Sequence, residues 1–120
     1  MLLSCLLVPA LNTGCVTPGN DPVVVQAERT TQLALDVFDT FLLWEHNNRQ
    51  ALLDLDPKIK VAADFIRERG QTWLETSRAM TKAYKENRSD ANKANLDTAL
   101  AVLRAGVGEA QKYFVKGVQR

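Results

Sequence analysis

Residues 21–44, DPVVVQAERTTQLALDVFDTFLLW, decide the fold class of this 120-residue chain. Apolar or small side chains recur there at alternating steps of four and three, the spacing of one face of an α-helix. Asp21-Pro22 is typical of a helix start, because the carboxylate can cap free N–H groups and proline has no N–H to leave unpaired. The pattern predicts a first helix over about 22–53 with these residues on its buried face: Val23, Ala27, Thr30, Ala34, Val37, Phe41, Trp44, Asn48 and Ala51.

Two further helix starts follow along the chain. Asp56-Pro57 repeats the first signal, and Ser89-Asp90 offers a capping hydroxyl followed by a carboxylate that favours the positive helix end. We expect helices over about 57–87 and 90–117. The second has Ala63, Ile66, Gly70, Trp73, Ser77, Met80 and Tyr84 on its stripe, and the third has Leu96, Ala99, Leu103, Gly106, Ala110, Tyr113 and Gly117.

The three stripes predict an all-α fold, a three-helix bundle that runs up, down and up. Apolar neighbours such as Phe38 and Leu100 make each apolar face too wide for a two-stranded coiled coil. The connections fall near Leu55 and Arg88, and no period-two alternation or hairpin turn indicates a strand. Gly70 leaves two alternatives for the second helix, which either continues or breaks there.

Residues 1–20 differ from the rest of the chain because they contain no Asp, Glu, Lys or Arg. The apolar run Leu2 to Leu11 is half the length of about 20 residues that a membrane-spanning helix needs, but it suits the h-region of a secretory signal. Pro and Gly interrupt the residues after Cys15, which favours a tether. We therefore expect a signal peptide at 1–14, an anchor and tether at 15–21 and the bundle domain at 22–120.

Leu11-Asn12-Thr13-Gly14-Cys15 resembles the lipobox of bacterial lipoprotein signal peptides. In that family the peptidase cuts before the cysteine, whose sulfur carries a diacylglycerol. The resemblance implies cleavage between Gly14 and Cys15, a lipid on Cys15 and anchoring in the bacterial cell envelope. It favours the outer membrane if the envelope is Gram-negative, because Val16 is not the Asp that retains some lipoproteins at the inner membrane.

The other cysteine, Cys5, lies within the apolar run. A disulfide between Cys5 and Cys15 is the alternative to acylation, although neither thiol lies near another signal of stable structure. No paired CxxC motif indicates a metal site.

Motifs of catalysis are absent from the sequence. His46 is the only histidine, and there is no HExxH, GxSxG or GxxxxGK[ST] motif and no pair of Glu-x-x-His motifs. We expect no enzyme activity, no cofactor and no metal. The net charge of +1 provides no field for nucleic acid, which we do not expect as a partner.

The most polar stretch of the first helix, residues 45–49, leaves two interpretations open. Either the stripe reaches the end of the bundle there, or Trp44, His46, Asn48 and Arg49 form a patch that binds a partner.

Two function classes follow. The first is a lipid-anchored envelope protein whose non-catalytic bundle is a structural or protein-interaction module, with an envelope protein, a cell-wall component or a second copy as its partner. The alternative is a soluble helical adaptor or a virion-associated protein, in which Leu2 to Leu11 packs onto the bundle or a partner.

Overall fold

The structure is a computed structural model that describes residues 21–118, with side chains up to Phe114. It contains α1 (Pro22–Asn47), α2 (Arg49–Leu55), α3 (Lys58–Glu86) and α4 (Asp90–Val118). Every element in this part of the chain is helical, so the all-α class is confirmed. The expected number of three helices is wrong, because the stretch 22–53 forms two helices. The signal peptide at 1–14 and most of the tether lie outside the described residues.

Asn48 separates α1 from α2. Its backbone has φ −123° and ψ 23°, and its N–H donates to the carbonyls of Trp44 and Glu45. The Asn48 side chain also donates to the Trp44 carbonyl at 2.9 Å. Asparagine amides compete for backbone carbonyls in this way, which weakens helix continuation. The placement of Asn48 on the buried face is therefore also wrong, because its side chain is exposed.

The three predicted helix starts are confirmed by side-chain caps. Asp21 Oδ1 accepts from the amide two residues later at 3.0 Å, and Asp56 Oδ1 does the same at 3.0 Å. Ser89 Oγ accepts from the amide three residues later at 3.1 Å. These bonds satisfy N–H groups that have no partner within their helix. α3 begins at Lys58, one residue after the expected position.

The long helices α1, α3 and α4 all pack against one another. The end of α3 meets the start of α1, because Arg88 Nε lies 2.6 Å from Asp21 Oδ2, so these two helices are antiparallel. Trp44 and Phe114, near the ends of α1 and α4, have ring centroids 4.7 Å apart, so these two helices are parallel. The short α2 packs on α3 and buries Leu52.

The buried face of α1 is rotated by one residue from the predicted stripe. Ala27, Ala34 and Phe41 are buried as expected. At every other predicted position except Asn48, the buried residue is the one that follows: Val24, Thr31, Phe38, Glu45 and, in α2, Leu52. The stripes of α3 and α4 are close to those predicted, although Trp73 and Met80 are only half-buried. α3 continues through Gly70 without a break.

The rings of Phe38 and Trp73 explain why a glycine lies in the middle of α4. A Cβ built on Gly106 would lie 2.9 Å from the rings of both Phe38 and Trp73. A Cβ on Gly70 would lie 3.5 Å from the other side of the Phe38 ring, an ordinary contact. The absence of a side chain at Gly106 therefore lets α4 approach the two aromatic rings.

Candidate functional site

A buried carboxylate joins three helices at one end of the molecule. Glu45, near the end of α1, has no exposed surface, yet it is charged. Arg49, the first residue of α2, donates from Nε and from a terminal nitrogen to the two Glu45 carboxylate oxygens, each at 3.1 Å. Arg67 of α3 donates to the same carboxylate and pairs with Asp64 at 2.9 Å. The Glu45 cluster is thus fully paired by charge-assisted bonds.

These bonds set the protonation of Glu45. Burial raises the pKa of the Glu45 carboxyl, but the hydrogen bonds and positive charges of Arg49 and Arg67 outweigh that effect and hold the pKa below its ordinary value. The cluster is therefore ionised at neutral pH. These bonds link α1, α2 and α3, and both oxygens of the carboxylate accept hydrogen bonds from within the protein.

The four residues of the predicted partner patch lie in different surroundings. Trp44 packs inward, edge-on to Phe114 and 5.9 Å from the ring of Phe41. Arg49 is committed to Glu45. His46 and Asn48 are exposed. Among the described contacts, the hydrogen bonds of Asn48 to the Trp44 carbonyl are the only ones that join two of the four predicted residues. The structure thus brings Trp44 and Asn48 together and leaves His46 and Arg49 in separate surroundings.

A larger surface, which the sequence did not indicate, lies between α3 and α4. We call it the α3–α4 face. Its first cleft has a volume of about 230 Å³ and is lined mainly by Ala62, Phe65, Ile66, Trp73, Val102, Ala105, Gly106 and Glu109. The Phe65 ring is 47% exposed and stands edge-on to Trp73, with a centroid distance of 5.5 Å. The Arg69 guanidinium lies 5.3 Å from the centre of the Phe65 ring.

A second cleft extends the α3–α4 face toward the start of α4. It shares Trp73 and Val102 with the first cleft and has a volume of about 320 Å³. Met80 and Asn95 line its far part. Val102, which is 39% exposed, adds apolar area to the face. Exposed large apolar side chains that adjoin one another indicate an interaction surface, whereas isolated ones need no explanation.

The contact between α1 and α3 includes a buried pair of hydroxyl groups. Thr31 and Ser77 hydroxyls lie 2.6 Å apart and are buried. Thr31 donates to the Ala27 carbonyl at 2.8 Å, so Ser77 donates to Thr31. Both hydroxyl donors are therefore used, and this region is a structural contact between helices.

The sequence carried a weak signal for these features. Phe65 and Val102 fall outside the predicted four-and-three stripes, but the buried Leu74 and Leu100 do as well, so this position alone does not identify an exposed apolar residue. Glu45 and Arg49 have the (i, i+4) spacing of a helical ion pair, but nothing in that spacing reveals that the carboxylate is buried.

The described part of the chain offers two further observations. Among residues 21–118, no group of His, Cys, Asp and Glu side chains is placed to hold a metal ion. None of the described helices combines the length and apolar character needed to cross a membrane. Cys15 and Gly14, the expected lipidation and cleavage residues, lie outside the described residues.

Comparison of the chain with protein-family models, with curated proteins and with solved structures gave no match.

Proposed function

We propose that the chain is a lipid-anchored protein of the bacterial cell envelope, whose helical bundle is a non-catalytic structural or protein-interaction module. The observation that carries the proposal is the position of Cys15, which lies within the charge-free residues 1–20, follows an apolar run and precedes the first helix at Pro22. Cleavage before Cys15 would remove no residue of the described domain. The lipobox resemblance of residues 11–15 supplies the chemistry of the anchor.

The start of α1 supports an anchored arrangement. Asp21 caps α1 and pairs with Arg88, so the point at which the tether enters the domain is fixed to both α1 and the end of α3. Cys15 and Asp21 are six positions apart in the sequence, and an extended chain spans about 3.3 Å per residue. The domain would therefore be held within about 20 Å of the anchoring lipid, with the end that holds Asp21 nearest the membrane.

The α3–α4 face supports the interaction module. Its Phe65 and Val102 side chains are exposed, and both line the clefts of the face. The face runs along the sides of α3 and α4, so a domain anchored at the Asp21 end would leave it accessible to a partner in the envelope. The partner patch at His46 remains a second, smaller prediction.

Membrane fractionation tests the proposal with a matched pair of cysteine variants. The full chain is expressed in a bacterial host that is fed an alkyne analogue of palmitate, alongside Cys15→Ser and Cys5→Ser. We expect label and membrane association in the wild type and in Cys5→Ser, and neither in Cys15→Ser. Label that persists in Cys15→Ser, or a chain that fractionates as soluble and unlabelled, would contradict the proposal and support the adaptor alternative.

A further inference from the structure

A basic cleft lies between α1 and α3, toward the end of the molecule where the tether enters. We call it the α1–α3 cleft, and its volume is about 410 Å³. Arg78, Lys82 and Lys85 of α3 line it, and Glu28 of α1 is the one acidic residue of its lining. The three cations follow one another at steps of four and three, so they lie on one side of α3.

Two of these three cations have no ionic partner in the described part of the chain. Lys85 Nζ pairs with Glu28 across the cleft at 3.2 Å, which uses the one carboxylate of the lining. Arg78 and Lys82 make no ion pair or side-chain hydrogen bond with any described residue. Three cations and one carboxylate leave a net charge of +2 in the lining. The cleft therefore attracts anions, because a concave wall of one sign concentrates the field.

The cations also supply the hydrogen-bond donors of the cleft. The hydroxyls of Thr31 and Thr81 line it too, but they donate to carbonyls of their own helices at 2.8 and 2.7 Å. The Arg78 guanidinium can donate through two parallel N–H groups to two phosphate oxygens, and the Lys82 ammonium adds a compact charge. This set of donors fits a phosphodiester, the anionic group of a phospholipid headgroup.

The tether enters on the side of α1 that holds the cleft. Asp21 and Glu28 both pair with basic residues of the segment 85–88, across the same contact between helices. Gln32, at the far end of the lining on α1, is 11 positions from Asp21, which is about 16 Å along a helix. The extended tether from Cys15 spans about 20 Å. A bilayer that holds a lipid on Cys15 can therefore lie against the whole cleft.

We propose that the α1–α3 cleft binds the headgroups of anionic phospholipids in the bilayer that anchors the protein. The inference rests on the proposed function, because the lipid on Cys15 is what holds the cleft at the membrane. Arg78 and Lys82 bind the phosphate oxygens, and Lys85 adds charge while it stays paired with Glu28. The α3–α4 face uses other residues of α3, so it stays open to a partner.

Vesicle binding by the unlipidated chain tests the cleft apart from the anchor. The full chain with Cys5→Ser and Cys15→Ser is sedimented with vesicles of phosphatidylcholine, or of equal parts of phosphatidylcholine and phosphatidylglycerol. Residues 1–20 carry no charged side chain and are the same in every variant, so differences between variants report on the domain. We expect the anionic vesicles to bind the chain about tenfold or more tightly than the neutral ones, and less tightly as salt is raised.

Two arginines without ion pairs provide matched variants. Arg78 lines the cleft, whereas Arg104 lies on α4 outside its lining. Neither bonds another described side chain, so their replacement leaves the folded domain intact. We expect Arg78→Gln to lower the partition coefficient onto anionic vesicles about fivefold, and Arg78→Gln with Lys82→Gln about 25-fold. Arg104→Gln should change it by less than about twofold, because that charge lies farther from the bilayer than the screening length.

The outcomes separate this inference from the lipid anchor. Equal effects of Arg78→Gln and Arg104→Gln, or equal binding to the two kinds of vesicle, would overturn it. Calorimetric binding of glycerol phosphate without binding to anionic vesicles would assign the cleft to a soluble phosphate and overturn it as well. The absence of lipid on Cys15 in cells would instead contradict the proposed function and leave these measurements unaffected, because the tested chain has no cysteine.

Discussion

At the scale of single residues, Glu45 links the stability of the folded state to pH. Its pKa lies below the ordinary value of 4.5, because Arg49 and Arg67 more than offset its burial. A carboxyl whose pKa is lower in the folded state stabilises that state above the pKa of the unfolded chain. This stabilisation is lost as the pH falls below about 4.5 toward the folded pKa. Asp21 and Asp64, whose pKa values are also lowered, act in the same direction.

We predict that Glu45→Gln lowers the free energy of unfolding by about 1–3 kcal/mol at pH 7, since it leaves two arginines without their carboxylate. The loss should shrink as the pH falls below 4.5 toward the folded pKa, because protonation of this carboxyl in the unfolded chain then removes the stabilisation that the ionised Glu45 gives the wild type. Urea unfolding followed by circular dichroism at several pH values measures both effects. Glu75→Gln, at an exposed carboxylate of α3, serves as the control and should change stability by less than about 0.5 kcal/mol. Equal losses in the two variants would contradict this role of Glu45.

Two glycines of α4 should respond to the same substitution with opposite signs. Gly106→Ala places a methyl group 2.9 Å from the Phe38 and Trp73 rings, so we expect a loss of about 1–3 kcal/mol despite the better helix propensity of alanine. Gly108→Ala meets no atom within 4 Å and should gain about 0.5–1 kcal/mol. Thermal unfolding at low protein concentration measures both. A stabilising Gly106→Ala would show that α4 lies farther from Phe38 than described.

At the scale of secondary-structure elements, the cap of α1 also holds the end of α3. Asp21→Ala removes the cap of α1 and the ion pair with Arg88, and we expect it to cost about 1–2 kcal/mol of unfolding free energy. Asp21→Asn keeps an oxygen that can cap the helix, so it should cost less than half as much. Denaturant titration distinguishes the two, with Asp39→Ala at an exposed position of α1 as the control. An equal loss in both Asp21 variants would assign the whole effect to the ion pair.

The helices could be predicted because their signals are local. Asp21, Asp56 and Ser89 each cap a helix through a bond within three residues, so the sequence alone specifies those starts. The rotation of α1 about its own axis could not be predicted from local signals. Apolar residues surround its axis, since Val23, Val24 and Val25 follow one another, and only packing against α3 and α4 selects Val24 for the core.

The end of α1 and the candidate surface were missed for a related reason. Asn48 occupies a position that fits the stripe, but its amide bonds the Trp44 carbonyl and ends the helix, which periodicity alone does not reveal. The α3–α4 face depends on which side of each helix remains uncovered. That is a property of the packed helices, so Phe65 and Val102 could not be recognised as surface residues before the fold was known.

At the scale of the whole molecule, the proposed function joins two parts of different character. Residues 1–20 carry no charged side chain, whereas the described domain has a paired carboxylate in its core and ion pairs along its surface. The domain core begins at Val24, so a lipid on Cys15 would leave the packing intact. We therefore predict that Cys15→Ser changes the location of the protein but leaves the unfolding of its domain within about 0.5 kcal/mol of the wild type.

The intact mass of the protein isolated from a bacterial host tests the central proposal most directly. The account predicts a species that begins at Cys15 and carries a diacylglycerol, and that is replaced by the uncleaved chain when the lipoprotein signal peptidase is inhibited. Cys5→Ser should leave that mass unchanged, because residue 5 is removed with the signal peptide. A chain that keeps Met1 and carries no lipid would contradict the account.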